Sequence, residues 1–82
     1  MSRFFFDVEY GGALFVDADG TELLSRQLAQ HEALLIALEI ARDEFATLDG
    51  EQRLEVRVRD TIEFYRTTLT VAIETSETAS TT

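Results

Sequence analysis

The residues best suited to do chemistry form an acidic turn, Asp17-Ala18-Asp19-Gly20-Thr21-Glu22, with three carboxylates around a glycine. Calcium-binding loops begin in this way, because carboxylate oxygens at alternate positions hold the ion. Such a loop also needs a bidentate glutamate at its twelfth position, which here is Leu28. The sequence therefore favours a turn whose aspartates accept hydrogen bonds from local amides and stay solvated, and it predicts no metal site.

The single histidine, His31, lies in a segment with helical periodicity. Catalysis by an imidazole requires a cysteine, serine or carboxylate that it orients. One helical turn away, the chain offers only Gln27, Leu28, Leu34 and Leu35. The chain also has no cysteine and no lysine, so it lacks the groups for thiolate and Schiff-base chemistry. We therefore predict that the protein is not an enzyme, that it binds no cofactor, and that His31 is a surface or interface residue.

The chain is strongly acidic, with 16 aspartates and glutamates against 7 arginines and a formal net charge of −9. A surface of this sign repels phosphate groups, which argues against direct nucleic-acid binding and against docking on anionic membranes. No apolar run approaches the roughly 20 residues that span a bilayer, and the aromatic opening Phe4-Phe5-Phe6 is too short for a signal peptide. We expect a cytoplasmic protein, and the acidic balance fits a basic partner.

Positive charge is gathered on the predicted last hairpin, at Arg53, Arg57, Arg59 and Arg66. One interpretation is an arginine face, including Arg57 and Arg59, that binds an anionic peptide or the acidic side of a neighbouring subunit, because guanidinium groups pair well with carboxylates. The other interpretation is cross-strand pairing with acidic residues of the hairpin itself, which we favour. The acidic residues available for it are Glu51, Glu55 and Glu63.

The first half of the chain has the pattern of a β-hairpin. Arg3 to Tyr10 alternates between apolar and polar residues, with Phe5 as the exception on the polar face. Gly11-Gly12 then predicts a tight turn into a second strand from Ala13 to Val16. Thr21 to Leu24 either finishes that strand past a bulge or leads into the helix.

The second half predicts another hairpin. Gln52 to Arg59 alternates regularly, and a turn near Asp60 to Glu63 leads into a fourth strand from about Phe64 to Glu74. Residues 76–82 contain only serine, threonine, glutamate and alanine. Because such residues bury little apolar surface, we expect a disordered tail after a single domain that spans residues 1–75.

Between the hairpins, Ser25 to Leu48 predicts a long helix, with Ser25 as its N-cap and Asp49-Gly50 as its stop. The helix is apolar on two opposite sides. One side carries His31, Leu34, Leu35, Leu38, Ala41 and Phe45, and the other carries Ala29, Ala33, Ile36 and Ile40. A single sheet covers only one side. The small-residue side suits close packing on the sheet, which leaves the leucine side for a second copy, although the reverse assignment stays open.

The short length of the chain also favours self-association. A chain of 82 residues buries only roughly 60 to 65% of the surface that its unfolded form exposes. Disulfides, metals or oligomerisation usually supplement so thin a core, and the first two are excluded above. We therefore expect a homodimer. Its contact set is predicted to be Leu34, Leu35, Leu38 and Phe45.

Four short motifs run through the chain: Arg3-Phe4-Phe5-Phe6-Asp7-Val8, a glycine turn, Asp17-x-x-Gly20-x-Glu22-Leu23, and a helix with Ala29 and Glu32-Ala33. They resemble a family of short, uncharacterised bacterial proteins, common in rhizobia and their relatives, that typically opens Arg-Tyr-Phe-Phe-His-Val and is classed as a domain of unknown function. The resemblance covers Arg3 to about Ile73. It implies the fold and a bacterial cytoplasmic setting, and it brings no catalytic residues.

This chain departs from the family pattern in two places. Asp7 stands where the family often has histidine, and the last hairpin, Asp60 to Thr68, looks longer and lacks the usual glycine. The first departure counts against an imidazole-dependent function of the opening strand.

Together, these observations predict an α+β fold with ββαββ order, a four-stranded antiparallel sheet and one helix packed across one face. The predicted function is that of a small, non-enzymatic, self-associating protein-interaction module. The alternative is an acidic regulatory partner of a basic protein, as in antitoxins that neutralise RNA-cutting toxins. A small basic protein encoded next to this one would favour the alternative.

Overall fold

The computed structural model of the protein describes residues 1–45, 51–61, 65–74 and 78. The elements of this part are β1 Ser2–Tyr10, β2 Ala13–Phe15, β3 Thr21–Leu23, α1 Arg26–Glu44, β4 Glu51–Asp60 and β5 Arg66–Glu74. The strands form one antiparallel sheet in the order β2-β1-β4-β5, with β3 also paired to β1. The predicted α+β class is confirmed, with five strands where four were expected.

The additional strand arises because the second arm of the first hairpin is interrupted. β2 pairs with the end of β1 at Val8–Tyr10, and β3 pairs with its beginning at Ser2–Phe4. Residues 16–20 lie between these two short strands and do not belong to either of them. Of the two alternatives for Thr21 to Leu24, the segment therefore finishes the strand after a break before the helix begins.

The core lies between the inner face of the sheet and a row of alanines on α1. Phe6 faces Val58 and Val8 faces Val56 across β1 and β4. The alanine row consists of Ala29, Ala33, Ala37 and Ala41, each at most 8% exposed. These residues are four apart, so they form a continuous row along the helix, and their small side chains let the helix lie close to the sheet. The small-residue side therefore meets the sheet, as preferred from the sequence.

Phe45 is also part of this core, with 6% of its surface exposed. Residues spaced four apart turn by about 40° around a helix at each step. The buried side at the end of α1 is therefore no longer the side that Ala29 marks at its beginning. This drift moves both Ala41 and Phe45 from the predicted leucine side into the core. The prediction that Phe45 is a contact residue for a second copy is wrong.

The helix begins as predicted and ends earlier. The Ser25 hydroxyl accepts a hydrogen bond from the Leu28 amide at 3.2 Å, which satisfies one of the free donors of the first turn. At the other end, the helix stops at Glu44, and the Phe45 amide donates to the Ala41 carbonyl at 2.9 Å. The buried Phe45 ring holds the chain on the sheet at this point. The predicted stop at Asp49-Gly50 lies outside the described residues.

The second hairpin pairs β4 with β5 in a continuous register from Glu51↔Glu74 to Arg59↔Arg66. β4 extends the predicted third strand by one residue at each end. β5 begins at Arg66, and the predicted strand start at Phe64 lies outside the described residues. The same holds for residues 62–63 of the turn and, except for residue 78, for the predicted tail.

Gly20 lies next to β3 in the break of the sheet edge, with a φ of +74°. A Cβ atom here would lie 2.9 Å from Cγ of Arg3, 2.9 Å from Cε1 of Phe5 and 3.0 Å from the Phe4 carbonyl oxygen. Gly12 has a similar φ of +79° in the hairpin turn, but a Cβ atom there would meet nothing within 4 Å. The two glycines therefore share the backbone requirement and differ in the space around them.

We expect Gly20→Ala to destabilise the protein more than Gly12→Ala. Both substitutions force an L-residue into the left-handed region, which costs about 1–2 kcal/mol. Only Gly20→Ala adds a clash with β1, and overpacking of this kind costs a further 1–3 kcal/mol, roughly. Urea denaturation of both variants at one protein concentration measures the difference in the free energy of unfolding. Equal losses for the two variants would contradict the close approach at Gly20.

Candidate interaction surfaces

Asp17 accepts a hydrogen bond from β1 at the position where the interruption between β2 and β3 leaves β1 without a partner strand on this side. Its Oδ2 accepts from the Phe6 amide of β1 at 3.1 Å, between the parts of β1 that pair with β2 and β3. Its Oδ1 accepts from the amides of Asp19 at 3.2 Å and Gly20 at 3.0 Å. In turn, the Asp17 amide donates to Oδ1 of Asp7 at 2.9 Å. The acidic turn is thus the local-amide turn that the sequence favoured, with an additional tie to β1.

These contacts control the ionisation of Asp17. Partial burial would raise the pKa of the carboxyl group, because it disfavours the charged form. The three amide hydrogen bonds and the charge of Arg59 act in the opposite direction and prevail. The pKa of Asp17 therefore lies below the ordinary value of an aspartate, which means that folding stabilises its charged form.

Arg59 joins this turn to the outer face of the sheet. Its Nε donates to Oδ2 of Asp7 at 3.0 Å, and its Nη2 donates to the Asp17 carbonyl oxygen at 3.3 Å. The guanidinium carbon lies 4.5 Å from the centre of the Phe5 ring. Phe5, the apolar exception on the polar face, is therefore covered by a cation–π contact. Arg59, a predicted interaction residue, contacts groups of its own chain.

Arg57 is also engaged on this face. It forms ion pairs with Glu9 of β1 and with Glu55 of β4, the latter at 3.3 Å. These contacts are ion pairs within the chain, but they differ from the predicted pairs across the hairpin, because Glu55 lies on the same strand as Arg57 and Glu9 lies on β1. Of the predicted partners, Glu63 and the Glu51 side chain lie outside the described part of the chain.

A cavity of about 300 Å³ opens on the outer face beside β4 and β5. Its polar lining includes Asp7, Arg57, Arg59, Arg66 and Thr68. Arg57 and Arg59 are already held by carboxylates of the same chain, so an anionic ligand would have to compete with these ion pairs. The arrangement therefore favours a structural role for this cluster.

The side of α1 that faces away from the sheet is apolar and exposed. Its large residues are Leu28, Leu34, Leu35 and Leu38, with exposures of 44%, 40%, 43% and 51%. We call these four residues the leucine strip; the exposed His31 lies among them. Single exposed leucines are common, whereas a contiguous apolar patch marks an interaction surface. Sequence reasoning missed Leu28, whose signal is its spacing of seven residues from Leu35.

Contacts at both ends fix the direction of the helix on the sheet. Near the beginning of α1, Nε2 of Gln30 donates to the Tyr65 hydroxyl at 2.9 Å, and the Arg26 guanidinium lies 4.7 Å from the centre of the Tyr65 ring. Near its end, Glu44 contacts Tyr10: burial, the charge of Glu44 and a hydrogen bond to it raise the pKa of Tyr10. The helix therefore runs from the Tyr65 end of the sheet to the Tyr10 end.

Within the described ranges, no group of three or more histidine or acidic side chains forms a metal-binding cluster. In the same part of the chain, no helix combines the length and the apolar character needed to cross a bilayer.

The fold and these surfaces define a small α+β domain with one helix on an antiparallel sheet, an ion-paired outer face and an exposed leucine strip. The chain belongs to the family described as a domain of unknown function, DUF6894, whose family model matches residues 3–70. Membership of a family of unknown function, expected from the sequence motifs, is thereby confirmed. No curated protein and no solved structure matches the chain.

We predict that Asp17→Asn lowers stability at neutral pH and weakens its dependence on acid. A carboxyl group with a lowered folded-state pKa stabilises the fold above its unfolded-state pKa of about 3.9. That contribution is lost as the pH falls through the lower folded-state value. The asparagine has no charge to lose, and its amide nitrogen cannot accept from the Phe6 amide.

Urea midpoints at pH 7 and at about pH 3 measure this effect, with Asp19→Asn as the control at an exposed position of the same turn. The difference between wild type and Asp17→Asn should be larger at pH 7 than at pH 3. A difference that is unchanged between the two pH values would exclude the ionised Asp17 as the source.

Proposed function

We propose that the protein is a non-enzymatic, self-associating interaction module in which the leucine strip contacts a second copy of the chain. The observation that carries this proposal is the exposure of the strip after α1 has packed on its own sheet. Leu34, Leu35 and Leu38, three of the four predicted contact residues, remain 40% to 51% exposed. The proposal places the protein in the bacterial cytoplasm, as the family motifs imply.

The energy available from the strip is of the right order for association. Completing the burial of a half-exposed leucine contributes roughly 1 kcal/mol, so the strips of two copies would together contribute roughly 8 kcal/mol. Association of two proteins costs about 4–15 kcal/mol in lost translational and rotational freedom. The strip therefore favours self-association but needs further contacts for a stable dimer.

A basic protein partner is the alternative occupant of the surface, and the net charge of −9 supports it. The charge is spread over the whole chain, whereas the leucine strip is a localised feature. Self-association is for this reason the first proposal to test.

We expect wild-type protein to have the mass of a dimer and Leu38→Glu to shift it towards the monomer. A charged residue in an apolar contact must lose its hydration without gaining a partner, which is strongly unfavourable. Size-exclusion chromatography with light scattering, across a range of protein concentrations, measures the mass.

The matched control is Leu24→Glu, because Leu24 is 74% exposed and lies just before the helix. It should keep the wild-type mass. Monomer mass for wild type at all concentrations would end the proposal of self-association.

A further inference from the structure

The strand β5 is the outermost strand on one side of the sheet, and no strand of the described residues pairs with its outer edge. The free amides and carbonyls of such an edge are a template for another chain. Proteins usually protect edges with charged side chains, especially lysine, or with proline, a bulge or short strands. The charged residues of β5, Arg66 and Glu74, stand only at its two ends. β5 is nine residues long, contains no lysine, proline or glycine, and pairs with β4 without a bulge. Within the described residues, its outer edge is therefore open to a partner strand.

The opposite edge of the sheet differs in each of these respects. It consists of β2 and β3, which have three residues each. The Asp17 side chain accepts the Phe6 amide in the gap between them. Short, interrupted strands are poor templates for pairing. The asymmetry between the two edges singles out β5 as the position for an additional strand.

The sequence of β5 is complementary to itself. If two copies lie antiparallel with Thr70 opposite Thr70, then Arg66 of each copy lies opposite Glu74 of the other. Leu69 then lies opposite Val71, so the apolar residues of both copies remain on the side of the helices. Opposite charges and β-branched pairs at facing positions stabilise antiparallel strands. The same strand therefore offers matching partners at both of its ends.

The register within one chain adds an electrostatic reason. Across β4 and β5, Arg66 lies opposite Arg59. Like charges at facing positions are unfavourable, and a second β5 would place the opposite charge of Glu74 on the other side of Arg66. Arg66 also has a contact within its own chain, and the pairing does not require it to be free.

The inner face of β5 is covered less well than that of β4. Leu69, Val71 and Ile73 are only partly buried, whereas Leu54 and Val56 on β4 are 1% and 0% exposed. A neighbouring strand with the same inward residues would cover part of this remaining apolar surface.

One flank of the leucine strip lies on the same side of the molecule as β5. Gln30 contacts Tyr65, next to the beginning of β5, and Leu34 and Leu38 follow Gln30 at intervals of four residues along the helix. β5 runs parallel to β1 because both are antiparallel to β4. The helix also runs from the Tyr65 end to the Tyr10 end, so Leu34 and Leu38 continue the flank that lies towards β5.

We infer that two copies of this chain join edge to edge through β5, antiparallel about Thr70, into one continuous sheet. Both helices then lie on the same face of that sheet, with Leu34 and Leu38 flanking the paired strands. The inference rests on the proposed self-association and adds its geometry.

Cysteine cross-linking tests the register directly, because the chain contains no cysteine of its own. Thr70→Cys places two thiols at facing positions on the exposed side of the paired strands, within reach of a disulfide. Thr68→Cys, also exposed, is the matched control. In the paired dimer, the two thiols at position 68 would be offset along the strands by four residues, or roughly 13 Å, which is too far for a disulfide. Under mild oxidation, Thr70→Cys should form a covalent dimer and Thr68→Cys should not.

Charge exchange tests the same pairing without a cross-link. Arg66→Glu alone and Glu74→Arg alone each place like charges at both ends of the pair, and each should weaken the dimer roughly tenfold. The double variant R66E/E74R restores opposite charges and should recover wild-type affinity. A mixture of the two single variants should form a heterodimer in preference to either homodimer. Sedimentation measures the dissociation constants, and circular dichroism verifies that each variant folds.

The outcomes separate this inference from the proposed function. If wild type is a dimer but Thr70→Cys does not cross-link in preference to Thr68→Cys, the β5 pairing is overturned while self-association stands. Failure of R66E/E74R to recover the affinity lost in the single variants also overturns it. A monomeric wild type removes both.

Discussion

The close packing of α1 on the sheet depends on a row of four small side chains. Alanine at positions 29, 33, 37 and 41 lets the helix lie close over the inner residues of β1 and β4. The same choice of residues has a consequence on the other side of the helix. Because the large apolar residues are not needed against the sheet, the leucines lie on the outside, where they remain 40% to 51% exposed. The apolar surface that remains exposed is thus a result of how the core is built.

The polar face of the sheet is organised around Asp7 and Asp17. Asp7 accepts from Arg59 and from the Asp17 amide, while Asp17 holds the Phe6 amide. These contacts keep the interrupted edge attached to β1 where no strand pairing exists. They also engage Arg59, one of the arginines that the sequence singled out as a binding face, and a guanidinium already held by a carboxylate has less to gain from an external anion. The positive charges of Arg57 and Arg59 are therefore balanced within the chain.

Local pattern was sufficient to predict much of this fold from the sequence. The two-residue alternation of β1 and β4, the turn at Gly11-Gly12 and the cap at Ser25 are all properties of neighbouring residues. The sequence left open whether the strand resumes after the acidic turn, because the Asp17 to Phe6 hydrogen bond that holds the turn on β1 joins residues 11 apart. Similarly, the ion pair between Arg59 and Asp7 joins residues 52 apart in the sequence. The burial of Phe45 was not predicted, because a helical wheel assigns one buried side to the whole helix. In a helix packed on a sheet, the buried side shifts from one turn to the next.

Taken alone, neither exposed feature of the molecule specifies a partner. A leucine strip can pack against any apolar surface. An open strand edge can pair with any extended chain, because main-chain hydrogen bonds carry no sequence information. Specificity has to come from side chains at fixed positions in the pairing. In β5, those positions carry an arginine at one end and a glutamate at the other. A foreign strand would need this order of charges by coincidence, whereas a second copy of β5 has it by identity, which is why we favour self-pairing at this edge.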